Sequence, residues 1–403
     1  MYSQDYNYKL IIRFMKTIYF AGGCFWGTEH YIRQFEGVLE TETGYANGNV
    51  ANPTYQQVYT DQTGFAECVK VSYEPELISL ETLCRLFFRS IDPLLVNRQG
   101  EDIGTRYRTG IYWNDEEDVT VIDKVYSEIQ SLYNEPLAVE KCRLQCFYSA
   151  EDYHQDYLVN NPEGYCHLSL STLQSAKVYA KITRALREQS DDEKKKVLPR
   201  FFKTGKGEYG EGDKFMGVTV PLTRSVAKKF KDCSMDVVEN LLESEWHECR
   251  LCALLILREK FRHSDTETTK FYLDHSKGIN NWDLVDLSAP YILGEYLVKK
   301  EDRSILYSLA ASDSMWEQRI AIVSTLMLIR NNQFEDTVRL AEMLMSSRED
   351  LILKALGWML REVGKKDETT LLKFLDSYNK KMPRTMLRYS IEKLSPQLRK
   401  AYM

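Results

Sequence analysis

The chain of 403 residues contains no run of about 20 apolar residues, which excludes a helix crossing a membrane. Its nine cysteines are sparse and odd in number, so a disulfide scaffold is excluded as well. Cys142 and Cys146 have no second pair at metal-ligand spacing, and neither zinc nor any other cofactor is expected from spacing. A reducing cytoplasm fits this cysteine usage, and any disulfide step there is transient. The first 14 residues, MYSQDYNYKLIIRF, lack a long apolar core and a small-residue cleavage site. No signal peptide is expected from them, and Met15 reads as a second plausible start.

What is present is folded material: 43% apolar residues and 26 tyrosines, in a chain long enough for two domains. Residues 1–199 carry 20 Lys/Arg against 29 Asp/Glu, and residues 200–403 carry 33 against 30, so the halves differ in sign. That asymmetry predicts separate partners. The +3 excess of the second half is too small to predict nucleic-acid binding without a local cluster.

The texture divides the same way. Up to about residue 180 short strands and helices interleave. KTIYFAGG reads as a strand ending in a glycine turn, and GTEHYIRQFEGV as the helix after it. ECVKVSYEP alternates as a half-buried strand stopped by Pro75, and Ser79 opens a further helix. Residues 181–199, rich in mixed charge, read as a solvated link. From 200 to 403, stretches such as SMDVVENLLES, MWEQRIAIVSTLMLIR and DLILKALGWMLREVGKK repeat at helical spacing, and NWDLVDLSAPYILGEYL reads as one more. Repeated helices with short polar turns predict an all-α solenoid, a class that commonly binds along a concave face.

The chemistry concentrates in YFAGGCFWGTEHY. A cysteine at a helix N-terminus meets unpaired backbone N–H groups and the positive end of the dipole, both favouring thiolate, so Cys24 is a candidate nucleophile. Phe25 and Trp26 beside it would hold a small apolar group such as a methyl. The bland alternative is a small core side chain at a strand end.

GGCFWGTE resembles the signature of the A-type peptide methionine sulfoxide reductases. The likeness continues through TGYANGNVANPTY, GFAECVKVSYEP, GEDIGTRYRTGIY, AEDYHQDYL and NPEGYCH, in order, over residues 17–170. It implies an α+β two-layer sandwich of ferredoxin-like type over 15–180 and reduction of methionine S-sulfoxide, free or in proteins. It also implies roles. Cys24 attacks sulfur, Glu67 supplies the proton to the leaving oxygen, Tyr55 and Tyr107 hydrogen-bond that oxygen, and Asp102 orients the pocket. Cys166 is the implied resolving thiol, forming a Cys24–Cys166 disulfide that thioredoxin or another dithiol reduces. Position 174 is Gln, so no second recycling cysteine follows there. Three departures stand out: Phe65 and Ile91 replace histidines, the latter with Leu94 for threonine, and Arg106 stands for glutamine. His154 is retained, as a structural imidazole or a catalytic part. Cys68, Cys84, Cys142 and Cys146 read as structural thiols.

Residues 200–403 resemble the HEAT-repeat DNA alkylation-repair glycosylases. GKGEYGEGDKFMGVTVPLTRSVAKKF matches the opening motif, NNWDLVD carries Trp282 and Asp286, MWEQR carries Arg319, and ALGWMLREVG carries Trp358. The resemblance implies excision of a cationic alkylpurine from duplex DNA. Trp282 and Trp358 would contact the nucleotide, Asp286 would stabilise charge on the sugar or position water, and Arg319 would engage a phosphate. The lysine runs near 228, 365 and 380 are candidate phosphate contacts. A catalytically silent DNA- or protein-binding module is the rival for this half, and a peroxide-sensing thiol the lesser rival for the first.

Overall fold

A computed structural model describes residues 15–403, so the expectations about the first 14 residues lie outside the described part. The chain divides into two compact units, residues 1–184 and 185–403.

The first unit is a six-stranded mixed sheet with helices. Its elements run β1 (Lys16–Gly22), α1 (Phe25–Ile32), β2 (Val38–Ala46), α2 (Tyr55–Tyr59), β3 (Ala66–Tyr73), α3 (Leu80–Phe88), β4 (Arg98–Gln99), β5 (Asp102–Ile103), β6 (Thr109–Trp113), α4 (Val119–Gln130), β7 (Glu140–Arg143), β8 (Phe147–Ser149), α5 (Tyr157–Asn160) and α6 (Leu170–Arg187). The sheet order is β7-β6-β1-β3-β2-β8, antiparallel except for the β6/β7 pair, and β4 and β5 form a separate hairpin.

Register decides which side chains share a face. Phe20 lies opposite Val69 and Tyr45 opposite Glu67. Because side chains alternate along a strand, Ile18, Phe20, Tyr45, Glu67, Val69 and Val71 share one face. There Phe20 stacks on Phe87 of α3, with ring centroids 4.7 Å apart. The opposite face is also covered, by a cluster of Tyr19, Ala21, Ala46, Ala66, Cys68 and Tyr112 against which Cys142, Leu144 and Phe147 pack. This corrects the expectation for β3. It is not half-buried: every residue but Lys70 is buried, because both faces of the sheet find partners.

Two glycines shape the turn after β1. Gly23 has φ +84°, a left-handed conformation that costs a side-chain-bearing residue energy. A Cβ on Gly22 would stand 2.7 Å from Thr28 Oγ1. Cys24, at φ −61° and ψ 124°, is the N-cap of α1, and Thr28 N–H donates to its carbonyl at 3.3 Å.

In the second unit helices follow one another to Tyr402. Among the described residues its extended pairing is one isolated bridge, Lys214 with Trp246. Helices His247–Phe261 and Met315–Arg330 are buried on nearly all sides for most of their length, as interior helices are. The stretch expected as one helix over NWDLVDLSAPYILGEYL is broken into Trp282–Ser288, a 3₁₀ turn at Ala289–Tyr291 and Leu293–Leu297, since Pro290 cannot continue the helical ladder. Residues 181–199, expected as a solvated link, are helical up to Arg187 and again from Asp192. Leu186 is fully buried and the Arg187 guanidinium lies 5.1 Å from the Trp246 ring, so part of this stretch packs where a solvated link is expected.

Glu248 fixes the entry loop of this unit. Its buried carboxylate accepts from the backbone N–H groups of Met216, Gly217 and Val218 at 2.9, 2.8 and 3.0 Å. Replacing Glu248 with Ala orphans three buried donors, so the helical unit should lose about 2–3 kcal/mol. Urea unfolding of the full chain, followed by tryptophan fluorescence, checks this; an unchanged midpoint would contradict it.

Candidate functional site

The register that puts Glu67 on the helix face of the sheet brings it beneath the first turn of α1. Phe25 N–H donates to Glu67 Oε2 at 3.1 Å, which leaves the other carboxyl oxygen available to carry a proton. Glu67 is 1% exposed, and burial pushes its pKa up to about 8 against the opposing pull of the Phe25 N–H and the Arg106 charge. At neutral pH the group is therefore mostly a carboxylic acid.

Cys24 is 5% exposed. Burial, and then the neighbouring Glu67, push its thiol well above its ordinary range, while the backbone N–H groups of Trp26 and Gly27 pull it down. The expected helix-terminus effect is present, but desolvation outweighs it. The resting nucleophile is a thiol next to an acid, poised to ionise only as charge develops opposite it.

Both tyrosines face this pair. Burial pushes the Tyr55 hydroxyl up to about 12, with the Glu67 and Cys24 charges adding to it. Tyr107 is buried, and burial followed by Glu67 raises its pKa too. Both hydroxyls thus stay protonated donors. Arg106 is held by Asp61 at 2.7 Å and lies over the rings of Tyr59 and Tyr107, at 4.3 and 4.4 Å from their centroids. It clamps the Tyr107 segment and brings a positive charge near Glu67. Phe65 is buried against Tyr45, its ring filling the space that a Gly48 Cβ would occupy at 2.2 Å, so it makes the surroundings of Glu67 apolar.

The two aromatics after Cys24 are fixed by His154. Its Nδ1 accepts from the Trp26 indole N–H at 3.1 Å, and Trp26 stacks on Tyr157 with centroids 3.8 Å apart. Burial lowers the His154 pKa, which keeps the ring neutral with its proton on the other nitrogen. Phe25 and Tyr55 lie 5.0 and 4.6 Å from the same ring. His154 therefore positions the aromatic wall.

Cys166, half-buried, reaches α1 from the loop before α6. Its Sγ and His167 Nδ1 lie 3.2 and 2.7 Å from the position a Gly27 Cβ would take. Asp102, on the short β5, raises the pKa of both cysteines, after burial in each case, and lies beside Tyr165. The structure thus gathers Cys24, Phe25, Trp26, Tyr55, Glu67, Asp102, Tyr107 and Cys166 around the start of α1. Sequence reading missed two more. Glu151 accepts from Tyr55 N–H at 2.8 Å and from the Tyr45 hydroxyl at 2.7 Å. His167 sits against Gly23 and Gly27. Both lie inside motifs already singled out, AEDYHQDYL and GYCH, which was the available signal.

In the helical unit, Arg319 donates to both oxygens of Asp286, at 3.0 and 2.8 Å, and to the Leu351 carbonyl. It is 5% exposed. The guanidinium is occupied in holding Asp286, which departs from the expectation that Arg319 meets a phosphate. Asp286 is pushed up by burial and pulled back by Arg319. Trp358 lies two turns beyond Leu351 on the same helix, and so on the same face. Phe202 stacks on Trp282 with centroids 5.4 Å apart, and the Trp282 indole lies beside Tyr209, whose ring meets Trp316 edge-on at 6.0 Å. Tyr209 and Trp316 were not among the expected site residues, though both stand in quoted motifs. The exposed lysines at 228, 229, 365, 366, 380 and 381 remain surface groups.

Comparison with known proteins assigns each unit. Residues 16–186 match the family described as peptide methionine sulfoxide reductase, and residues 182–394 the family described as DNA alkylation repair enzyme. The peptide methionine sulfoxide reductase of Lachnoclostridium phytofermentans is 49% identical over 162 residues, covering 40% of this chain and 98% of that protein. The one from Clostridium acetobutylicum is 50% identical over 160 residues, 40% of this chain and 99% of its own length. Among solved structures, reduced Mxr1 from Saccharomyces cerevisiae is similar with a TM-score of 0.37 at 38% identity, over 39% of this chain and 92% of that one. A predicted DNA alkylation repair enzyme from Enterococcus faecalis has a TM-score of 0.42 at 15% identity, over 52% and 98%.

Gly27 is the contact most sensitive to change. Gly27→Ala should displace His167 and the Cys166 thiol, lowering stability by about 1–3 kcal/mol. Faster alkylation of Cys166, read by peptide mass spectrometry beside a thermal melt, would show it; wild-type behaviour in both would contradict the packing described.

Proposed function

The chain belongs to the peptide methionine sulfoxide reductase family through its first unit and to the DNA alkylation repair enzyme family through its second, and from that premise we propose a two-domain repair enzyme. Its first activity is thiol-dependent reduction of methionine S-sulfoxide, free and in proteins. The observation that carries this reading is a buried Glu67, its pKa raised by that burial, hydrogen-bonded to the turn that presents Cys24.

In the proposed reaction Cys24 attacks the sulfoxide sulfur and Glu67 delivers a proton to its oxygen, with Tyr55 and Tyr107 donating hydrogen bonds to it. Phe25 and Trp26 hold the methyl group. The sulfoxide oxygen ends on Cys24 as a sulfenic acid and methionine leaves reduced; the Cys24 proton balances the one spent by Glu67. The Cys166 thiol then condenses with the sulfenic acid, releasing water and forming the Cys24–Cys166 disulfide. Thioredoxin or a similar dithiol returns both thiols by exchange. Asp102 orients the pocket. A ferredoxin-like two-layer arrangement over 15–180 and a cytoplasmic setting complete this reading; no helix among the described residues is long and apolar enough to cross a membrane.

For the second unit we propose a HEAT-like solenoid over 200–403 that excises cationic alkylpurines from duplex DNA. Asp286, held by Arg319, would face the positive charge that grows on the sugar, and Trp282 and Trp358 would flank the nucleotide. The bidentate pair also favours a second reading, a catalytically silent binding module, because Arg319 already offsets much of the Asp286 charge.

Glu67→Gln should lower kcat by at least about 100-fold. In the wild type the acid form is full well below the raised pKa of about 8 and is lost as pH rises through it, so reductase turnover should fall on that limb. Steady-state rates from pH 6 to 10 check both, and a rate still level at pH 9.5 would contradict the acid assignment. Cys166→Ser should complete about one turnover and then stop with thioredoxin as reductant; sustained cycling would exclude it as sole resolver. Asp286→Asn should abolish release of a 7-methylpurine from duplex DNA by the full chain. Absence of release by the wild type would favour the binding module.

A further inference from the structure

The Cys24 site has a second chemical capacity that sulfoxide reduction does not use. Cys24 Sγ, an Asp102 carboxylate oxygen and a His167 ring nitrogen all lie within 4.8 Å of one another. They come from the N-cap of α1, from β5, and from the loop before α6, so the fold itself brings three ligand types together. The polar atoms are not spent elsewhere. Tyr165 lies beside Asp102, whose Oδ2 is buried without a hydrogen-bond partner. The Gly22 backbone acts on the His167 ring, yet neither ring nitrogen completes a hydrogen bond of normal geometry. Buried polar atoms left this way are costly unless something else fills their valence.

We propose that the reduced Cys24–Asp102–His167 triangle binds a thiophilic divalent cation, zinc above all, and that the bound metal holds the nucleophile out of reaction. Thiolate, imidazole and carboxylate are the donor set zinc accepts, with bonds of about 2.3, 2.0 and 2.1 Å in tetrahedral geometry. Tetrahedral placement at those lengths needs ligand atoms about 3.3–3.6 Å apart, so the three side chains close in by at most about 1.5 Å. Gly27 leaves room beside the His167 imidazole, on the side where the Cys166 thiol lies, since it has no side chain to fill it. Tyr165 beside Asp102 and the Gly22 backbone beside His167 are the neighbours that could orient a ligating carboxylate and imidazole once they close on the ion. The fourth position stays open to water or to the Cys166 thiol beside His167. Binding displaces the Cys24 proton and changes no oxidation state, so the metal silences the site reversibly and a chelator restores it. Unlike Cys142 and Cys146, the three ligands of this site are far apart in sequence and are brought together only by the fold.

The test uses the reduced full chain with zinc chloride as probe, and chelator competition to measure affinity. One equivalent should bind with Kd below about 1 μM, and cobalt in its place should give the absorption of a tetrahedral thiolate complex. His167→Gln and Asp102→Asn should each weaken zinc by at least about tenfold, with folding checked by circular dichroism. Affinity untouched by both substitutions would put the metal on other thiols and overturn the proposal. A second measurement needs no variant: zinc should slow iodoacetamide labelling of Cys24 in the wild type at least about tenfold, as peptide mass spectrometry reads it. Unchanged labelling at saturating zinc would overturn the proposal as well.

Discussion

The hydrogen bond from Phe25 N–H to Glu67 is the contact on which the first unit's chemistry depends. It joins the start of a helix to the centre of a sheet, and it does so at a residue whose burial is fixed by both neighbouring strands. Because the sheet register carries Glu67 to the helix face, the acid cannot be moved without shifting β3 against β1 and β2. Because Gly22 and Gly23 have no side chains, the turn can bring Cys24 over that acid. The same burial that makes Glu67 an acid at neutral pH makes Cys24 a thiol. One constraint thus sets both protonation states, and both favour a reaction in which proton delivery and thiol ionisation occur together.

Much of this was legible in the sequence. The glycine turn, the helix after it, Cys24 at its cap and the strand holding Glu67 follow from local residue types. What was not legible depends on distant pairing. ECVKVSYEP alternates as a strand with one wet face does, yet the cluster around Tyr19 and Tyr112 covers that face. The helix position alone predicts an ionised thiol, but burial in the folded unit, with Glu67 and Asp102 brought in from far along the chain, reverses this. His167 and Glu151 are ordinary residues until the loop before α6 and the strand end after β8 bring them to α1 and α2.

The helical unit shows the same limit. Asp286 and Arg319 were each legible as residues of interest, but their mutual pairing was not, since 33 positions separate them. The pair changes what the arginine does. It becomes a support for a buried carboxylate, as His247 supports Asp213 and Asp283 at 3.3 and 2.9 Å deeper in the unit. Buried acids with cationic partners are costly to break and set geometry more than they add stability.

The account stands on the protonation state of Glu67. Carbon-13 NMR of carboxyl-labelled protein, with the Glu67 resonance assigned by its loss in Glu67→Gln, reads that state directly. The account predicts a titration midpoint of about 8. A midpoint near the ordinary value of about 4.3 would mean a carboxylate at neutral pH, and would contradict the role of Glu67 as the acid of the site.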